Sequence, residues 1–221
     1  MASEFFSRDS FEHISPEDYP IVYRYRYLCY RLLHDEQGLS FMVEIEDQRL
    51  NAGEIRALLA YHGSAHILSD TDASLLYYIL HKLGTIQTRY RIKNDFQFII
   101  DYLKKSSVPL YYGEAPLAVR GELLSLSFHF SFDEQSNIII SYEPQPEIIK
   151  GMDRLFAIHE NHLYELSPHV PIHFYEELFQ GKKKITIDDF LAFREELLPQ
   201  LESVHHVSYD EDIKALNQLP L

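Results

Sequence analysis

The chain has no tryptophan, a single cysteine, three methionines and eight glycines in 221 residues. One thiol, Cys29, cannot form an internal disulfide. A disulfide-stapled secreted scaffold is therefore excluded, and a reducing, cytoplasmic setting is expected. No apolar run approaches the roughly 20 residues that a membrane-crossing helix needs, and the start Met1-Ala2-Ser3-Glu4 lacks the basic region of a secretory signal. No membrane partner is expected. Bases are scarce too: 20 Lys and Arg stand against 34 Asp and Glu, a formal charge of −14. That average field repels phosphate backbones unless the bases are locally clustered.

Catalytic signatures are also missing. There is no Gly-x-Ser-x-Gly elbow, no His-Glu-x-x-His and no paired cysteine motif. Gly181-Lys182-Lys183-Lys184 invites a phosphate-loop reading, but Glu176 stands where the first glycine belongs and Lys183 where a magnesium-binding Ser or Thr is needed. A basic turn between two helices is expected there. Twelve histidines suggest metal, with His62/His66, His159/His162 and His169/His173 at suggestive spacings. Two imidazoles do not complete a zinc site, so no metal and no cofactor are expected. No catalytic residue is assigned. Cys29 reads as a core thiol, and the chain is expected not to be an enzyme.

What is present is enough apolar material to build a core: 46% hydrophobic residues, 14% of all residues being aromatic. Tyr23, Tyr25, Tyr27 and Cys29 alternate with Val22, Arg24, Arg26 and Leu28, which predicts a strand with one apolar face. Across Asp35-Glu36-Gln37-Gly38 the next segment sets Leu39, Phe41, Val43 and Ile45 on one face, with Ser40, Glu44 and Glu46 on the other. The pair predicts a hairpin. Asn51 caps a predicted helix with the stripe Ile55, Leu58, Leu59 and His62, stopped at Gly63. Ser69 with Asp72 opens a second, carrying Leu75, Leu76, Ile79, Leu80 and Leu83 and stopped at Gly84. Asn94 caps a third, with Phe98, Ile99, Tyr102 and Leu103 on one face.

Alternation returns at Leu124, Leu126, Phe128, Phe130 and Phe132, turns through Asp133-Glu134-Gln135-Ser136-Asn137, and continues from Ile138 to Glu143. Both hairpin turns begin Asp-Glu-Gln. Turns select such residues independently for their backbone hydrogen bonding, so coincidence is the expectation rather than a duplicated unit. Pro144 and Pro146 end this hairpin and mark the Glu143–Gly151 stretch as a boundary. Beyond it, Leu155–Ile158 and His162–Leu166 predict a short hairpin. Pro171 opens a helix with Phe174, Tyr175, Leu178 and Phe179, closed by Gly181. Thr186 with Asp189 caps another, carrying Phe190, Phe193 and Leu197, and Pro199 stops or kinks it.

The expected fold is α+β, with antiparallel β-hairpins, packed helices and two lobes. The expected divisions are residues 1–147, 148–204, and an acidic tail or linker at 205–221. Bases alternate with aromatics at Arg24 and Arg26, and at Arg89, Arg91 and Lys93 around Tyr90. Interleaving of that kind can stack nucleobases and bind phosphates. With Lys182, Lys183 and Lys184 these are the candidate nucleic-acid contacts, set against the overall acidity.

Leu155-Phe156-Ala157-Ile158, Glu160-Asn161-His162, Leu163-Tyr164-Glu165-Leu166, Ile185-Thr186-Ile187-Asp188-Asp189-Phe190 and Leu198-Pro199-Gln200-Leu201 together resemble the accessory region that precedes the motor in bacterial Swi/Snf-type helicases. The stretch from Thr88 to Leu103, with Arg91-Ile92-Lys93-Asn94-Asp95-Phe96, is similar to that region's strand entering a helix. The resemblance implies a non-catalytic role beside a DNA-dependent ATPase, with a helicase motor or another protein as partner and DNA as a further contact. The alternative is a stand-alone acidic protein-interaction module without a nucleic-acid role, such as an adaptor, a phage protein or a virulence protein.

Overall fold

The computed structural model describes residues 19–84, 86–93, 95–181 and 184–218. The fold is α+β, as expected, with mainly antiparallel strands. The chain divides into two compact units, Met1–Val119 and Arg120–Leu221. The expected boundary near Pro144–Gly151 lies inside the second of them, because Glu147–Lys150 is itself a strand of that unit.

The first described element of the first unit is a 3-10 helix, Pro20–Tyr27, where alternation predicted a strand. Proline fixes φ at the first helical position, and Ile21 and Val22 are buried while Tyr23, Arg24, Arg26 and Tyr27 face solvent. The strand begins only at β1, Leu28–Asp35, whose core phase is Leu28, Tyr30 and Leu32. It pairs antiparallel with β2, Gly38–Ile45. β2 is covered on both faces: Ser40, Met42 and Glu44 are as buried as Phe41, Val43 and Ile45. β3 (Gln48–Arg49) leads into α1 (Ala52–Ala65). There Asn51 and Glu54 complete a capping box, and the helix runs past the expected stop at Gly63 to a left-handed cap at His66. α2 (Asp70–Leu83) has its Ser69 cap and ends at Gly84, whose φ of 75° lies in the region glycine tolerates best.

β4 (Tyr90–Arg91) pairs with β2. α3 (Phe96–Leu103) follows, and its expected cap, Asn94, lies outside the described residues. Its buried stripe is Phe96, Ile99, Ile100 and Leu103, with Phe98 turned outward, so the stripe is rotated from the expected one. β5 (Leu110–Tyr112) then lies parallel to β1, and β6 (Ala115–Pro116) folds back on β5. The sheet order is β3-β2-β1-β5-β6, with β4 also on β2.

β7 (Ala118–Leu123) begins at the division. The hairpin of β8 (Ser127–Phe132) and β9 (Ile138–Glu143) follows, then β10 (Glu147–Lys150), β11 (Leu155–His159) and β12 (His162–Glu165). α4 (Ile172–Phe179), β13 (Lys184–Ile185), α5 (Ile187–Glu196) and α6 (Leu198–Val204) come next. Pro199 separates the last two helices, as its missing amide hydrogen requires. The described part of the expected tail, residues 205–218, is folded: β14 (His206–Tyr209) pairs parallel to β8, and α7 (Glu211–Asn217) buries Ile213 completely. The sheet orders are β10-β11-β12-β7 and β13-β9-β8-β14. One core unites them, built on Phe128, Phe130, Phe156's neighbours Leu155 and Ala157, and the helix residues Phe174, Tyr175, Phe190 and Phe193.

The two units repeat one arrangement. Each has a hairpin, one or two intervening helices, a short strand antiparallel to the hairpin's second strand, one or two further helices, and a strand parallel to the hairpin's first, with additional strands β3 and β10–β12 between. The register agrees as well. Cys29↔Glu44 and Tyr30↔Val43 match Ser127↔Glu143 and Phe128↔Tyr142. In each turn the aspartate accepts from the amide two residues on, Asp35 from Gln37 and Asp133 from Gln135, both at 2.9 Å. The other oxygen of each takes a base from the short-strand segment: Arg89 to Asp35 at 2.6 Å, Lys184 to Asp133 at 3.0 Å. The shared Asp-Glu-Gln thus has the same local use in both turns, the aspartate accepting from the backbone.

Candidate functional site

The bases singled out in the sequence do not form one groove. Arg24 and Arg26 project from the 3-10 helix beside the exposed Tyr23 (60%) and Tyr27 (59%), and the Arg24 guanidinium donates to Glu46 at 2.5 Å. Arg89 and Arg91 sit at the opposite end of β2. Arg89 donates to Ser40 Oγ at 2.7 Å and to Asp35 Oδ2, and Arg91 donates to the Gln37 side-chain carbonyl. Their anchor points, Ser40 on β2 for Arg89 and Arg91 and Glu46 just past its end for Arg24, are roughly 20 Å apart. Lys93 is exposed, Lys184 is bound to Asp133, and Lys182 and Lys183 lie outside the described residues. The Arg89 guanidinium holds the Asp35 carboxyl below the usual carboxylate range, and the Lys184 ammonium does the same for Asp133.

These bases close the two hairpin turns on themselves. A phosphate approaching Arg89 or Lys184 has to displace a carboxylate already in contact. Charge is also unevenly shared: the first unit carries 16 acids and 12 bases, the second 18 acids and 8 bases.

The structure gathers polar groups around Asp72, which the sequence had marked only as the capping partner of Ser69. Asp72, 1% exposed, accepts from the hydroxyls of Tyr30 at 3.2 Å, Ser69 at 2.5 Å and Ser106, while its own amide donates back to Ser69 Oγ at 3.0 Å. The cluster joins β1, the start of α2 and the loop before β5 in one buried network, and burial beside this carboxylate pushes the Tyr30 phenol well above its ordinary range. Glu44 is buried between Arg31, whose Nε donates at 2.7 Å, and Arg49 at 3.5 Å. Only the strand phase hinted at Glu44, and it was read as a solvent face.

His205 was assigned to a polar tail and is instead 7% exposed. The Leu126 amide donates to its Nδ1 at 3.1 Å, so that nitrogen bears the lone pair and the ring proton sits on Nε2, which meets Tyr175 Oη at 2.6 Å. Burial pushes the imidazole down to about 4. The neutral ring is a structural tie between β8, α4 and the approach to β14. The apolar position of Leu201, one helical turn earlier, was the available signal, since His205 lies on the same face.

Among the other histidines, His62 and His66 meet edge to face at 5.9 Å, and His159 and His162 are opposed across the β11–β12 turn. Among the described residues no three His, Cys, Asp or Glu side chains converge as a metal site would require. Cys29 is half-buried opposite Glu44, and burial raises its thiol above the ordinary range. No helix among the described residues is long and apolar enough to cross a membrane. Comparison with protein-family models, with curated proteins and with solved structures finds no match to this chain.

Proposed function

We propose that the chain is a non-catalytic accessory domain of a Swi/Snf-like DNA-dependent ATPase, acting through contact with the motor or by guiding its DNA. One observation carries the reading. The patterned segments that resemble the accessory region coincide, in order, with β11, β12, the capped helix α5 and the Leu198-Pro199-Gln200-Leu201 start of α6. Protein contact is the favoured arm. Arg24, Arg89, Arg91 and Lys184 are each bound by a side chain of this protein, and the second unit has a net charge of −10.

The test is ATP hydrolysis by a bacterial Swi/Snf-type motor, with and without duplex DNA, titrated with the purified chain. The expected result is a change in DNA-stimulated rate that saturates near one chain per motor. An unchanged rate at every ratio, or hydrolysis by the chain alone, overturns the proposal. The second reading, an acidic protein-interaction module, is supported by Ile187 and Leu191 on α5, exposed one turn apart beside the exposed Asp188 and Glu195. Under that reading binding to single-stranded and duplex DNA is absent even at low salt; under the DNA-guiding arm it falls steeply as salt rises.

A further inference from the structure

The repeated arrangement differs between the units at one sheet edge. In the first unit β5 is held on both sides: parallel to β1, and antiparallel to β6 through Tyr111↔Pro116 and Tyr112↔Ala115. The Leu117 amide extends that pairing by donating to Leu110 O at 2.8 Å. In the second unit the strand in the same place is β14. It pairs with β8 and, among the described residues, ends its sheet.

The equivalence is fixed by register. Tyr30↔Leu110 and Leu32↔Tyr112 correspond to Phe128↔Val207 and Phe130↔Tyr209. The strand leaves its sheet through the same bond in each unit, from Gly113 to Leu32 O at 2.9 Å and from Asp210 to Phe130 O at 3.0 Å. Backbone groups alternate in direction along a strand. The His206 and Asp210 amides donate inward, to Leu126 and Phe130, so those of Val207 and Tyr209 point away from β8. Leu110, the counterpart of Val207, uses its outward carbonyl to hold Leu117. In the first unit the chain turns at Gly113 and fills the edge itself. In the second it passes into α7, whose Ile213 goes to the core instead.

We propose that the outer edge of β14 receives an extended segment of a partner protein, antiparallel to β14 as β6 is to β5, and that this segment is basic. An open edge offers main-chain hydrogen bonds to any strand of suitable length, and side-chain charge then selects among them. Here β14 runs into Asp210, Glu211 and Asp212, all exposed, on a unit with ten more acids than bases. That field attracts lysine and arginine and disfavours a second copy of the same acidic edge. The inference stands without the helicase reading.

The probe is a seven-residue peptide alternating lysine and valine, titrated into the isotope-labelled full chain and followed by amide chemical shift and amide exchange. Expected are shifts centred on β14, with exchange at Val207 and Tyr209 slowed at least tenfold. The same peptide with N-methylated valines keeps its charge and loses its pairing groups, so it should bind at least tenfold more weakly. Val207→Pro should abolish binding while the His206 and Asp210 amides stay protected, since the lost N–H faces outward. Equal binding of both peptides, protection centred elsewhere, or Val207 and Tyr209 amides already protected by a second copy as concentration rises overturns the proposal.

Discussion

His205 is the residue on which acidity acts most directly. The fold keeps the ring neutral by offering Nδ1 an amide donor, which a protonated ring cannot accept. Burial lowers its affinity for a proton to about 4 from an ordinary 6.5. Stability from this group is fully present above pH 6.5 and is lost as pH falls from there toward 4, by up to about 3 kcal/mol. Urea midpoints measured from pH 7.5 to 4.5 should fall more steeply for the parent chain than for His205→Gln; equal slopes would show that the buried ring is not responsible. Asp72 poses the opposite case, a buried carboxylate that hydroxyl donors satisfy. Asp72→Ala leaves the Tyr30, Ser69 and Ser106 hydroxyls without their shared acceptor and should cost about 3 kcal/mol in a denaturation curve. Tyr30→Phe, which removes a single donor, should cost about 1 kcal/mol.

At the scale of elements, the short strand and the helix after it do the same job twice. Ile92 and Ile185 are buried beside the hairpin's second strand, and Phe96 and Phe190 lie fully buried in the first turn of the following helix. Phe96→Ala and Phe190→Ala should each cost about 3–5 kcal/mol, with accelerated amide exchange in the unit that bears the change. Much of this level was legible in the sequence. Caps at Asn51, Ser69 and Thr186 are local signals, and the helices begin where they fall. The segment before Leu28 was misread because tyrosine alternating with arginine is equally compatible with an exposed helix. Pro20 and the adjacent Ile21 and Val22 decided the matter. β2 was read as half exposed because its second face is covered only by tertiary neighbours, among them Arg31 over Glu44. Of the candidate bases, Arg24, Arg26, Arg91, Lys93 and Lys184 are exposed and Arg89 is half-buried. Their partners, Asp35, Gln37 and Asp133, lie about fifty residues away in sequence, beyond the reach of any local pattern.

For the whole molecule, the division at Val119/Arg120 escaped the sequence because prolines mark turns within a unit as readily as boundaries between units. The assignment of 205–221 to a tail erred for a related reason: acidic residues at 210–212 open a helix instead of extending a solvated run. A chain ending at Val204 should therefore lose amide protection throughout the second unit while the first keeps its pattern, and retention of both patterns would show β14 and α7 to be dispensable. The long separation between β8 and β14 also bears on how the protein is made. Leu126 waits for His205, 79 residues later, before its amide is satisfied, whereas Arg31 meets Gly113 in a sheet that closes before residue 120. On a ribosome the first sheet can finish while the second is still missing a margin. During that interval the nascent Phe128–Phe130 strand is exposed to chance pairing, and the speed of translation through residues 133–209 sets how long the hazard lasts.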